Sequence, residues 1–515
     1  MAKCKVVHIG VFFDGTGNNK YNDTPKGSES NIAKLSELYI HGKVTNWSNE
    51  QCDHYGDKIY KEGVGTYNDG GKFVDRKYEK GAGGGGAKRI NETIDKLVSL
   101  LNNDYPVASE KNGEGYRERI IDVFGFSRGA AMARDFINTF YKKNEKFGLT
   151  KVRINFVGLY DTVGSFGIAG DNINYKPIDA NTDDEANTHY VEHAKKGIYT
   201  PDGLSNNSVE SVKTVHGNEN KTALIKSMMK NGWEVKESKQ WLSDKTFYTV
   251  TFIKASQGFE PYNFVLAHNS AKKIVHMVAS DEVRKNFPLS SLSNLASKDP
   301  STGHQEWTYG GVHSDIGGGY KPKMIEKHRF AIGRFVSYYD SELAIEQAKK
   351  SLSSGWQFYR IPEPRVNLLG KVMNRVHHTH AFNNREVTNE ITYITLHRMY
   401  EEAIQHKVPF KPISTPMPAS MKEYNIHTKA NPSKAMSFKG MQKLRVKYFH
   451  HSAVDQDERD THYDGNTSIP AVLLDDSPDG IGGNDTRYAR TKSGKIIVER
   501  EIYPNKGRAI PPTKF

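Results

Sequence analysis

Cysteine, long apolar runs and clustered charge are all scarce in this chain, and each shortage removes a class of protein. Two cysteines in 515 residues, Cys4 and Cys52, exclude a disulfide framework, and the two are expected to stay unpaired. No apolar run reaches the roughly 20 residues of a membrane-spanning helix. Lys and Arg number 72 against 60 acidic residues, but they are scattered, and no basic block forms a nucleic-acid-binding arm. No nucleic-acid partner is therefore expected. The richest histidine cluster, His377, His378 and His380, has no nearby pair of carboxylates or cysteines, which is poor ligand spacing. Neither a metal nor a cofactor is expected. The N-terminal MAKCKVVHIGVFF superficially resembles a signal peptide, yet His8 interrupts it and no small-residue cleavage site follows. It reads instead as a first core strand, in a protein made in the cytoplasm without a conventional export signal.

What is present is a polar but core-forming chain. Hydrophobic residues make up 36%, and the mean hydropathy is −0.68. A net charge of +12 favours anionic surfaces, including lipid headgroups. The length and the lack of a clear linker point to one large domain carrying insertions.

The informative stretch is Ile120–Ala131, IIDVFGFSRGAA. An apolar run from Ile120 to Phe124 has the bulk of a buried strand. The pentapeptide Gly125-Phe126-Ser127-Arg128-Gly129 follows, and then Ala130, Met132, Ala133, Phe136, Ile137 and Phe140 recur at helical spacing. With 45 glycines in the chain, G-x-S-x-G alone says little. Strand, tight turn with serine at its apex, helix: that context is what a nucleophile elbow needs. A Cβ at either glycine would collide with the neighbouring strand or helix. Ser127 is the candidate nucleophile.

Val6–Phe13 is read as another strand, ending in Asp14-Gly15-Thr16-Gly17. F-D-G-T is half of the phosphatase pattern D-x-D-G-T, but the nucleophile's position is Phe12, so that chemistry is missing. The better reading is an oxyanion hole built from backbone N–H groups of Arg128 and of Asp14 or Gly15. The run Gly81–Gly86 lacks the Lys-Ser/Thr of a phosphate loop and is read as a glycine turn opening a helix through Leu101.

Val152–Tyr160 is the next strand, and it ends at Asp161. Far downstream, WTYGGVHSDIGGGY (Trp307–Tyr320) runs from a strand-like start into His313 on a glycine-rich loop. Ser127, Asp161 and His313 then follow the chain order of α/β-hydrolases. His450 with His451, and the cluster at His377, His378 and His380, are competing histidines, and Asp315 either bonds locally to turn N–H groups or substitutes for Asp161. Helices are expected over Asn31–Ile40, Tyr262–Asn286, Ala331–Leu352 and Glu390–His406, and strands over Phe247–Ile253, Leu444–Phe449 and Lys495–Glu501.

Taken together, FFDGTGNN (Phe12–Asn19), GFSRGAA (Gly125–Ala131), LYDTVGS (Leu159–Ser165), HMVASDEVRKNF (His276–Phe287) and EWTYGGVHSDIGGGY (Glu306–Tyr320) resemble the lipase effectors of bacterial type VI secretion. The resemblance covers about residues 5–320, in the family's order. It implies an α/β-hydrolase-like fold, with a mostly parallel central sheet flanked by helices, a large insertion and a C-terminal extension. It implies an antibacterial phospholipase that cleaves acyl esters of membrane glycerophospholipids, with Ser127, Asp161 and His313 as its triad. The partners implied are membrane phospholipid, a VgrG-type secretion spike and a cognate immunity protein. The implied site of action is the target-cell membrane, reached from the periplasm after secretion.

The expected division is a catalytic core of residues 1–169 and 263–408, a polar insertion at 170–262 that forms a lid or cap, and an extension at 409–515 that contacts membrane or partner. Two other readings remain at this point. One is an esterase for non-phospholipid esters, and the other is a non-catalytic cargo or adaptor protein.

Overall fold

The computed structural model describes residues 4–45, 50–69, 72–75, 86–109, 114–147, 149–164, 262–282, 288–293, 303–335, 357–366 and 372–450. It also describes shorter stretches and single residues elsewhere, among them Trp47, Phe287, Arg500, Ile502, Tyr503 and Asn505. Most of the expected insertion lies outside the described residues; within it the strand Thr246–Phe252 pairs antiparallel with Thr214–His216 and Trp233–Lys239.

In chain order the site-bearing elements are β1 (Lys5–Phe13), α1 (Asn31–Leu38), β2 (Gly42–Lys43), β3 (Asp53–Lys61), α2 (Gly86–Ser99), β4 (Glu118–Phe126), α3 (Arg128–Phe147), β5 (Val152–Tyr160), β6 (Lys273–Ala279), β7 (Gln305–Tyr309), α4 (His313–Gly317), α5 (Thr392–Gln405), α6 (Lys422–Ala430) and α7 (Met441–Tyr448). The strands form one seven-stranded sheet in the order β7-β6-β5-β4-β1-β3-β2. All neighbours are parallel except the short edge pair β2–β3. A mostly parallel sheet must be covered on both faces, and its strands read as near-continuous apolar runs.

The two faces sort by the alternation of each strand. Val7, Ile9, Val11 and Phe13 of β1, with Ile121 and Val123 of β4, face α2 and α3 through Ile90, Ile94, Leu97, Phe136, Ile137 and Phe140. Phe12, Phe124, Phe126, Phe156 and Tyr160 face the other way, against Leu35 of α1 and Met399 of α5. Tyr424, Met441, Leu444 and Tyr448, all beyond residue 409, belong to that second core.

Several expectations are corrected. The segment expected to be helical at Tyr262–Asn286 contains β6 instead, every residue of which is buried. A strand sandwiched between two neighbours has no polar face, so its pattern cannot be told from a short buried helix. Of the helix expected at Ala331–Leu352, residues 331–335 instead end the long strand Lys323–Phe335, whereas Tyr339, Glu342, Leu343, Ile345 and Glu346 are helical; that strand pairs with Val372–Thr388, which carries the histidine cluster. Leu444–Phe449 falls largely in α7, where Met441, Leu444 and Tyr448 recur at helical spacing toward the core. Cys4 and Cys52 are joined by a disulfide. Their neighbours Lys5 and Asp53 are paired in the parallel register of β1 and β3, so the two thiols meet at adjacent strand starts.

Candidate active site

Three strand ends meet here. Parallel strands bring their C-terminal ends to one edge of the sheet, where α/β proteins place their sites. At the end of β4 the chain turns sharply into α3, and Ser127 at the turn has a φ of 59°. At the end of β5, Asp161 has a φ of 37°. Left-handed backbone in residues other than glycine is sparsely populated and strained, and such strain clusters at functional sites. Ser127 is held by its N–H donating to the Tyr160 carbonyl at 3.0 Å, and its own carbonyl accepts from Val163 N–H at 3.2 Å. The turn requires its glycines. A Cβ on Gly129 would stand 2.3 Å from the Asp14 carbonyl oxygen, and one on Gly125 would stand 2.6 Å from Ala130 Cα.

At the end of β7, Gly310 and Gly311 carry the chain to His313. The residue opens the short helix α4, although a loop was expected. His313 Nδ1 lies 2.5 Å from Asp161 Oδ2. Asp161 is fully buried and His313 is 3% exposed. An ionised carboxylate only accepts, so Nδ1 carries the proton of this bond. The rings of Phe126 and Phe287 flank the imidazole at 4.6 and 4.9 Å between centroids. Phe126 immediately precedes Ser127, so the serine turn and the histidine share one wall.

Asp161 has further partners. Its Oδ1 accepts from Ala279 N–H at 2.9 Å. Arg500 donates Nη1 to Oδ1 at 2.7 Å and Nη2 to Oδ2 at 2.8 Å. Burial alone would raise this carboxyl; the Arg500 charge, followed by the bond and charge of His313, holds it well below the usual range. Behind Asp161, His276 Nε2 accepts from Thr162 N–H at 3.0 Å, and its Nδ1 meets Glu306 Oε2 at 2.8 Å. Glu306 in turn accepts from Ser291 and from Leu292 N–H.

The Asp14 loop differs in detail from the expectation. Asp14 N–H donates to the Lys61 carbonyl at 3.0 Å, and Gly15 N–H donates to the Asp14 carboxylate at 2.8 Å. Both N–H groups are thus committed within the loop. The loop is clamped from two sides. Ser30 caps α1 by accepting from Ala33 N–H, and its hydroxyl donates to Asp14 at 2.5 Å; Tyr60 donates to the other oxygen at 2.6 Å. Burial outweighs these donors and pushes the Asp14 carboxyl up to about 6. Arg128 reaches across to the Thr16 hydroxyl at 3.1 Å, which ties the elbow to this loop.

Asp315 and His450, two of the alternatives, bond to each other at 2.7 Å, away from Asp161. The cluster at 377–380 lies on the strand Val372–Thr388, and its side chains are outside the described residues. Among the described residues no group of three or more His, Cys, Asp or Glu is arranged to hold a metal ion, and no helix is long and apolar enough to cross a membrane. Sequence reasoning missed Arg500, His276 and Glu282, whose Oε2 accepts the His313 N–H at 3.2 Å. His276 and Glu282 stand inside a stretch that carried the resemblance; Arg500 stands in the unpatterned tail and left no signal.

Comparison with known proteins bears on the family resemblance and the fold. The model of the type VI secretion system Tle1-like phospholipase effector catalytic domain matches residues 8–143 and 234–335. The chain resembles the Tle1-like phospholipase effectors. That similarity supports a lipolytic hydrolase as its coarse class. Among solved structures, the Tle1 effector bound to the VgrG spike from the type 6 secretion system aligns at 18% identity with a TM-score of 0.54, covering 98% of this chain and 94% of that one. It shares the fold. An uncharacterized protein from Pseudomonas aeruginosa aligns at 20% identity with a TM-score of 0.40, covering 86% of this chain and 52% of that one. No curated protein matches the chain.

Proposed function

We propose that the protein is an antibacterial phospholipase effector that hydrolyses acyl esters of membrane glycerophospholipids by a Ser127–His313–Asp161 mechanism. The observation that carries this reading is the buried His313–Asp161 pair beside a serine in left-handed backbone at a strand-to-helix turn. Ser127 attacks the ester carbonyl as His313 Nε2 takes its proton. Asp161 holds the imidazole in that tautomer and stabilises the imidazolium. The oxyanion forms at the N-terminus of α3, where the Arg128 N–H and the helix's positive end lie. The second donor comes from the Asp14–Gly17 loop; with Asp14 and Gly15 engaged, Thr16 N–H is the group we assign. Each such donor contributes about 3 kcal/mol to lowering the barrier. His313 then returns its proton to the leaving alcohol and activates water to release the acyl-enzyme. No step calls for a metal or cofactor.

The +12 charge suits a protein drawn to anionic bilayers, so hydrolysis of anionic vesicles falls as salt rises. By analogy with the Tle1 structure solved on its spike, a VgrG-type spike is the proposed carrier. A cognate immunity protein protects the producer, and the target membrane is reached from the periplasm. Residues 1–169 and 263–408 form the proposed catalytic unit, with 170–262 as lid or cap and 409–515 as the extension.

The decisive experiment supplies phospholipids with distinguishable chains at the two glycerol positions to the protein and to Ser127→Ala. Serine-dependent release of one chain supports the reading and names the A1 or A2 type. Equal release by both proteins removes Ser127 from the mechanism. An inert protein whose Ser127 is also unreactive to a fluorophosphonate is an adaptor, whereas a labelled but inert one acts on another class of ester.

A further inference from the structure

Arg500 is 339 residues from Asp161 in sequence, yet its guanidinium makes a two-pronged bond to that carboxylate. Its third nitrogen, Nε, donates to the Phe287 carbonyl at 2.7 Å, so the planar fork is anchored at every corner. The side chains are 7% and 0% exposed. The segment that carries Arg500 is seated independently of this contact. Ile502 and Tyr503 pair in parallel with Leu289 and Ser290. The Asn505 side chain exchanges two hydrogen bonds with the backbone of Leu266 and accepts from Arg134 at 3.0 Å. Hence the residues just after Arg500 are fixed to the core at Leu289–Ser290 and at Leu266, and the arginine is held beside Asp161.

The chemistry of that placement is specific. In a Ser-His-Asp unit the acid must be ionised and oriented before the histidine takes a proton. Asp161 is buried without solvent, where a lone carboxylate would protonate. Its oxygens are each held twice: Oδ1 by Ala279 N–H and Arg500, Oδ2 by His313 and Arg500. Lysine could not supply this geometry, because an ammonium is a point charge and cannot match both oxygens in plane.

We propose that Arg500 is a positioning residue of the hydrolase site, which fixes the rotamer and charge of Asp161 and so sets the basicity of His313. The inference rests on the Ser127–His313–Asp161 reading. Arg500 keeps Asp161 ionised, and its positive charge beside the pair opposes the imidazolium. His313 therefore remains a free base to lower pH than an isolated Asp–His pair would allow. Among the described residues, the other charged groups around the histidine include the Glu282 carboxylate at its backbone N–H, the Asp315–His450 pair in and against α4, the Asp281–Arg445 pair, and the His276–Glu306 pair behind Thr162. All of these are unchanged in the variants below, so a difference reports on Arg500.

The test uses the full-length chain, with hydrolysis of a nitrophenyl ester and the rate of Ser127 labelling by a fluorophosphonate measured against pH, and thermal melting as the check on folding. Arg500→Gln is expected to slow both reactions about tenfold and to move the acid limb of the profile up by roughly one pH unit. Arg500→Lys, which keeps the charge, is expected to lose rate while holding the limb close to the parent. In an Asp161→Asn background, Arg500→Gln is expected to cost no more than about twofold, because the group it acts through is gone.

An unmoved limb in Arg500→Gln, equal movement in the Gln and Lys variants, or a full tenfold cost in the Asp161→Asn background each overturns the proposal. Should Arg500→Gln alone not fold, the Lys variant and the Asp161→Asn pair decide in the same terms. Undiminished activity in Ser127→Ala would instead remove the triad reading on which the proposal stands.

Discussion

His450 closes on Asp315 at 2.7 Å and stacks on Tyr320 with ring centroids 3.8 Å apart. Asp315 sits two residues after His313, and its second oxygen accepts from the N–H groups of Val312 and His450, both at 3.0 Å. The candidate base is thus oriented through α4 by a residue at the far side of the chain. Burial pushes the Asp315 carboxyl up, and the His450 charge only partly offsets it.

Replacing His450 by Ala leaves a buried carboxylate without its ionic partner. Loss of one member of a buried pair costs about 3 kcal/mol. Urea unfolding should show that loss, and kcat should fall more than KM changes, because the orientation of His313 is disturbed and not a substrate contact. Unchanged stability would mean that Asp315 is satisfied by its backbone donors alone.

Gly129→Ala tests the elbow. The added Cβ would stand 2.3 Å from the Asp14 carbonyl oxygen and 2.4 Å from the Phe13 carbonyl oxygen... both backbone atoms at the end of β1. Neither can swing away as a side chain would, so the turn or the strand must shift. We expect a Tm lower by several degrees and labelling of Ser127 slowed at least tenfold. A variant with parent-like labelling would show that the turn tolerates displacement.

Asp122 lies in the nucleophile strand, fully buried, accepting from Tyr39 at 2.8 Å and from Asn155 at 2.9 Å. Burial pushes its carboxyl up to about 7. The folded state therefore holds a proton that the unfolded chain releases near pH 4. The stability from that protonation is full below pH 4 and is lost as pH rises through 7. Asp122→Asn removes the buried charge, so its Tm should exceed the parent's at pH 8 and approach it at pH 4–5. A gain that does not grow with pH would contradict the raised carboxyl.

The Cys4–Cys52 disulfide spans 48 residues. A closed loop of that size stabilises by about 4 kcal/mol in the chain-entropy picture. Dithiothreitol should lower the Tm of the parent but not of the Cys4→Ser/Cys52→Ser variant, which should melt near the reduced parent. Equal Tm with and without reductant would show the bridge to be thermodynamically idle.

The sequence by itself determined the sheet's centre and the chemistry-bearing turn. β1, β4 and β5 are legible because a parallel strand buried on both faces leaves an apolar run, and because G-x-S-x-G sits where such a run gives way to an Ala-rich helix. Ser127, Asp161 and His313 are candidates legible from position and from the resemblance: each follows an expected strand. What local pattern could not supply is whatever depends on meeting across sequence. β6 read as helix because a short buried run has no period of its own, and α7 read as strand because six residues cannot separate the two periods. The pairing of Cys4 with Cys52 follows from the register of β1 and β3, and the engagement of the Asp14 and Gly15 N–H groups from how the loop folds back. Arg500 is the extreme case. One arginine among 72 basic residues carries no mark of its role, and only the tertiary structure brings it to Asp161, because a buried carboxylate needs a cation and nothing in the order of the chain says from where it comes.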